Sequence, residues 1–183
     1  MFALTGIGRL VTNDPRHGSG LLGVIENAGL VADSSGRITW VGPSREISSH
    51  TDVEPTHVGG RCVVPGFVDS HTHLVFAGDR AEEFEARMSG RPYSAGGIRT
   101  TMAATRSASN DMLRDNVSRL ASEALASGTT TIEVKSGYGL SVADEERSLV
   151  AASATTTETT FLGARSEEHT SELQSHVRIS YAV

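Results

Sequence analysis

Among 183 residues there is one cysteine, Cys62, and one lysine, Lys135. A lone thiol excludes a disulfide framework, and its place among valines reads as a small buried hydrophobe rather than a reactive group. The other basic residues are all arginine, a bias typical of GC-rich genomes that carries no chemistry by itself. A formal net charge of −6 without a Lys/Arg cluster argues against nucleic acid or an anionic membrane as partner. No apolar run approaches the ~18 residues of a membrane span. The opening Met1-Phe2-Ala3-Leu4 lacks the basic and long apolar regions of a secretory signal. What is left is an ordinary globular composition, 38% hydrophobic, with the cytoplasm as expected compartment.

Chemistry is concentrated in the stretch VPGFVDSHTHL at 64–74. Pro65-Gly66 breaks an apolar run into a short buried strand, a turn and a second strand starting near Phe67. Side chains two apart on a strand share a face, so Phe67, Asp69, His71 and His73 fall on one side. Two imidazoles so placed can converge on one metal ion, and Asp69 is positioned to orient a ring from behind. His17, His50 and His57 lie in polar, loop-like sequence and are not expected in a site.

Residues 1–22 carry Gly6, Gly8, Gly18, Gly20 and Pro15, which allow an opening strand and a loop but no long element. Asp33-Ser34-Ser35-Gly36-Arg37 is turn chemistry between apolar pieces, so 30–41 reads as a hairpin, followed by a polar loop over 45–60 and a returning strand at 62–64. After the histidines a loop leads to a charged helix over 81–88, stopped by Gly90 and Pro92. Gly96-Gly97 reads as a plain turn before a weak helix over 98–106. Ser109 is a candidate cap for a helix over 110–127, with Leu113, Val117, Leu120, Ala121, Ala124 and Leu125 as its apolar stripe and Gly128 as its stop. A β-branched strand follows over 129–134. Ser141 and Asp144 have capping-box spacing for a helix to about 154, and another strand begins at 159. Strands alternating with helices imply βαβ units on a parallel sheet, an α/β organisation.

Three separated segments, PGFVDSHTHLVFAGDR, GTTTIEVKSGYGL and TTFLGA, resemble in order and character the amidohydrolase superfamily, and within it the imidazolonepropionase family of histidine degradation. The resemblance covers residues 20–164. It implies the N-terminal part of a (β/α)8 metal-dependent barrel over 65–164, preceded over 1–64 by part of a small β-sandwich. A whole barrel needs ~250 residues, so three of its eight strands are expected here. The resemblance also implies one zinc or iron ion held by His71 and His73, with Arg80 and Tyr138 binding a small-molecule substrate. Arg80 would grip its propionate, and Lys135 would be structural, paired with an acidic neighbour. The further ligands, a His and an Asp, and a proton-moving Glu belong to later strands of the family, so the chain as it stands is expected to be inactive. The full-length protein is allowed to be a homodimer.

The implied reaction is hydrolytic ring opening of 4-imidazolone-5-propanoate to N-formimidoyl-L-glutamate. Two alternatives stay open. One is a cyclic-amide hydrolase of dihydroorotase or hydantoinase type, with two metals bridged by a carboxylated Lys135. The other is a non-catalytic β-rich module whose Arg80 and Tyr138 hold a small anion. Finally, RSEEHTSELQSHVRISYAV at 165–183 resembles the in-frame translation of a widely used sequencing adapter, read through its index, and is expected to be that rather than a genuine polar C-terminal tail. The constant portion encodes Arg165 to Ser175, and the part after the index encodes Ile179 to Val183. His169 and His176 are therefore not expected to serve as metal ligands or catalytic groups.

Overall fold

The computed structural model describes residues 1–90 and 97–162, so Pro92, Gly96 and the 165–183 tail lie outside the described residues. The chain divides into two compact units, Met1–Pro65 and Gly66–Val183.

The first unit is built around β1 (Phe2–Val11), which pairs antiparallel with β2 (Val24–Ala32); β2 in turn pairs antiparallel with β3 (Ile38–Pro43). The β2–β3 hairpin turns where expected. The Asp33 carboxylate accepts from the N–H groups of Ser35 and Arg37 and from the Ser35 hydroxyl, at 2.6–3.0 Å. Alternation then sorts the side chains. Ile7, Leu10, Ala28, Leu30 and Ala32 form one buried cluster, while Val31 and Ala3 meet Ile47 on the other face. Full burial of a side chain such as Ile7 contributes roughly 1.5–3 kcal/mol.

The 45–60 stretch is more ordered than its polarity predicts. A 3-10 turn, Ser44–Ser49, brings Ile47 onto the sheet, and β4 (Thr56–His57) pairs parallel with β1. β5 (Cys62–Val63) does the same further along β1, as the returning strand predicted. The β1–β2 register shifts between Leu4 and Ile7, where Gly6 has φ +65°. A Cβ there would lie 2.2 Å from the His57 imidazole, so the kink and the close packing both require glycine. Cys62 is exposed, not buried. On so short a strand its valine neighbours give no information about which way the thiol faces.

In the second unit β6 (Phe67–Thr72), β7 (Thr129–Lys135) and β8 (Thr159–Thr160) form a three-stranded parallel sheet in that order. Its helices are α1 (Ala81–Met88), α2 (Ile98–Ser107), α3 (Asn110–Ala126) and α4 (Val142–Ser153). The caps are those the sequence marks. Ser109 accepts from the Met112 N–H, Ser141 accepts from the Asp144 N–H, and Gly128 (φ +95°) ends α3. Ile132 and Val134 of β7 join Leu113, Val117, Ala151 and Ala152 in one buried cluster, so α3 and α4 cover that face of β7. Leu125 departs from the stripe at 61% exposed: Ala121 and Ala124 still pack against the cluster, and Leu125, one residue further round the helix, falls off that face. β6 is likewise exposed from Phe67 to His71, with Phe67 63% and Val68 67% exposed, and the short strand before Pro65-Gly66 that was expected to be buried is β5, whose Cys62 is exposed and Val63 only half-buried. β6 lies at the edge of the described sheet, paired only with β7.

Candidate functional site

The ends of β6 and β7 bring His71, His73 and Tyr138 together. β6 stops at Thr72, so His73 stands one residue past the strand. The pairing with β7 also slips between Asp69 and Thr72. The simple two-residue alternation is broken there, yet the imidazoles of His71 and His73 remain neighbours, their ring centroids 5.4 Å apart and edge to face. Thr72 anchors the turn by donating its hydroxyl to the Glu133 carbonyl at 2.8 Å.

His73 is half-buried, and its Nδ1 lies 3.1 Å from the Lys135 carbonyl oxygen at the end of β7. A carbonyl only accepts, so in this hydrogen bond Nδ1 carries the proton, which makes Nε2 the ring nitrogen that would serve as a metal ligand. A metal-ligating histidine is commonly oriented in this way. Asp69 does not perform that task as expected. Its carboxylate accepts the backbone N–H of His71 at 3.2 Å, and orientation of a ring falls instead to a main-chain carbonyl 62 residues away. Among the described residues no group of three or more His, Cys, Asp or Glu gathers to enclose an ion.

Tyr138 follows β7 in the loop Ser136-Gly137-Tyr138-Gly139-Leu140. Its ring sits edge-on to His73 at 5.8 Å and to Phe76 at 6.4 Å between centroids. Phe76 belongs to the loop after β6, which is held from two helices. Asn116 of α3 donates to the Phe76 carbonyl at 2.8 Å, and Thr105 of α2 accepts the Ala77 N–H at 3.0 Å. Arg80 stands at the far end of that loop, exposed, with its carbonyl accepting the Phe84 N–H to start α1. Thus His71, His73 and Tyr138 form one aromatic cluster, and Arg80 lies at the head of the next helix.

Lys135 is paired as expected. Its ammonium meets the Glu133 carboxylate, which also accepts from the Thr160 hydroxyl of β8. The ammonium and then the hydroxyl hold the Glu133 carboxyl below its usual range. An amine engaged in this ion pair is not presented as a carboxylated bridge between two metals. His17, His50 and His57 belong to the first unit, occupied respectively with Asp14, with the face of Trp40 and with the Gly59 N–H.

Besides Thr105 and Asn116, Glu145 supports the site, its carboxylate accepting the N–H groups of Gly137, Gly139 and Leu140 on either side of Tyr138, and none of the three stood out in the sequence. Glu145 is one acid in the run Asp144-Glu145-Glu146, and nothing local marks it as the buried one. Thr105 and Asn116 read as ordinary helix polar residues. The one local sign of Thr105 is its place, with Thr101, on the buried face of α2.

No family model matches the chain. Curated relatives do. It is 58% identical over 163 residues to an imidazolonepropionase of Streptomyces griseus, with 88% of this chain and 41% of the relative covered. The figures are 57% over 162 residues for those of Mycolicibacterium smegmatis and Nocardia farcinica, covering 88% of this chain and 40% and 41% of the relatives. The chain spans about two fifths of the length of these relatives. By this identity, and with the histidine pair at a parallel strand end, it is a partial-length homologue of the imidazolonepropionases.

Proposed function

We propose that the full-length protein hydrolyses 4-imidazolone-5-propanoate to N-formimidoyl-L-glutamate, as a metal-dependent hydrolase acting on carbon–nitrogen bonds of a cyclic amidine. The observation that carries this reading is the His71–His73 pair, two neighbouring imidazoles at the end of a parallel strand, with the Nδ1 of His73 turned to the Lys135 carbonyl. The donor set fits one zinc or iron ion in part. His71 and His73 supply two of the three or four ligands such a site needs, and a His and an Asp of later strands would complete it. When bound, the ion supplies Lewis-acid activation of water near neutral pH.

The remaining roles belong to the chain itself. Tyr138, edge-on to His73, borders the space beside the pair and would position the substrate ring. Arg80 would hold the propionate through a charge-assisted, bidentate contact. The three parallel strands are read as the first three of a (β/α)8 barrel, with chemistry gathered at their carboxyl ends as that fold requires. The first unit is read as part of a β-sandwich, and residues 165–183 as adapter translation. A cytoplasmic protein, homodimeric at full length, completes the proposal. Among the described residues no helix is long and apolar enough to cross a membrane.

Metal analysis of the full-length protein tests the class: one ion per chain is expected, whereas two ions favour the lysine-bridged hydrolases and none a binding module. His71→Ala or His73→Ala should then lose both metal and turnover. Arg80→Ala should keep the metal and raise KM roughly 10- to 150-fold, the equivalent of ~1.5–3 kcal/mol for one charged contact. Metal loss on Arg80→Ala would remove it from the substrate role. Resequencing the genomic locus tests the tail; a frame that encodes residues 165–183 would make it native.

A further inference from the structure

Glu145 lies in the first turn of α4 and is 2% exposed. A buried carboxylate is costly unless its acceptor sites are filled. Here they are filled from one direction. Oε2 accepts the Gly137 N–H at 2.6 Å, and Oε1 accepts the N–H groups of Gly139 and Leu140, both at 2.8 Å. Hydrogen bonds to a carboxylate are roughly twice as strong as neutral ones. Three of them converge on the loop that carries Tyr138.

This is not helix capping, because Ser141 already caps α4 by accepting from the Asp144 N–H. The loop also needs restraint. Gly137 (φ +138°) and Leu140 (φ +59°) both occupy the left-handed half of backbone space, which leucine rarely enters. Gly139 is pressed so close to α4 that a Cβ would lie 2.6 Å from the Asp144 Cβ. Between the two clamped glycines, Tyr138 faces His73 and Phe76. We infer that Glu145 is a positioning residue, whose carboxylate fixes the 137–140 backbone and so holds Tyr138 against the histidine pair. The catalytic consequence rests on the substrate role proposed for Tyr138.

The test uses the metal-loaded full-length enzyme with Glu145→Gln, Tyr138→Ala and the double variant, a substitution cycle that isolates coupling. Glutamine keeps the shape but turns an N–H₂ toward at least one loop N–H. Amide exchange at Gly137, Gly139 and Leu140 should accelerate at least about tenfold, while Ile132 and Val134 keep their rates. KM should rise about tenfold with kcat within about twofold, and Glu145→Gln should add nothing in the Tyr138→Ala background. Unchanged exchange at the three amides overturns the clamp itself. Additive effects on KM overturn action through Tyr138. Accelerated exchange together with an unchanged KM in Tyr138→Ala refutes the substrate role of the tyrosine, and with it the catalytic consequence, while the clamp stands. Should Glu145→Gln fold poorly, Gly139→Ala displaces the same loop without touching the carboxylate, and should raise KM in the same way; an unchanged KM there also overturns the inference.

Discussion

Replacing Lys135 by alanine separates what its side chain does from what its backbone does. The ammonium is spent on Glu133, with the two side chains 14% and 27% exposed. The carbonyl is spent on His73. Truncation leaves the Glu133 carboxylate with only the Thr160 hydroxyl, in a position between a solvated pair, worth about 0.2–1 kcal/mol, and a fully buried one, whose breaking costs about 3–5. A stability loss of about 1–3 kcal/mol follows. Metal affinity should hardly move, because the carbonyl that orients His73 remains, whereas loss of such an orienting partner costs about 10- to 100-fold. Denaturant titration of the full-length protein reads the first quantity, and metal content after dialysis against a graded chelator reads the second. If Lys135→Ala emptied the site, the side chain would be part of the metal centre, and both the single-ion reading and the structural role of the Lys135–Glu133 pair would fall.

Two further predictions follow from packing and charge. Leu113→Ala, at a fully buried position of α3, should cost about 2–5 kcal/mol, against about 0.5 or less for Leu125→Ala on the same helix; equal losses in a urea titration would show the stripe to be misplaced. Asp33 is held below its usual carboxylate range by the Ser35 hydroxyl and the Arg37 N–H, so its contribution is present above the unfolded value and lost as pH falls through the lowered folded one. Asp33→Asn cannot ionise, so the stability gap between the original protein and the variant should narrow as pH drops below about 4; a constant gap in thermal melts across that range would refute the turn's dependence on charge.

Local rules carried a large part of this protein. Turn residues at 33–37, the Ser109 and Ser141 caps, the stop at Gly128 and the period of the helices are set by neighbours within a few positions, so the sequence alone determined where most elements begin and end. The histidine pair was legible for the same reason, since closeness of residues 71 and 73 needs only two steps of backbone. Contacts across the chain were not legible. Burial of Cys62 or Leu125, the register slip beside Thr72, and the 45–60 segment's return to β1 all depend on which surface arrives opposite, and no local pattern encodes that. The same holds within the site. The sequence offers Asp69 as the natural partner of an imidazole, but the fold sets a carbonyl from position 135 against His73 and spends Asp69 on a backbone N–H. Of the adjacent acids Asp144, Glu145 and Glu146, only the tertiary structure decides that Glu145 turns inward, because burial of that carboxylate is tolerable only where three loop N–H groups are already aimed at it.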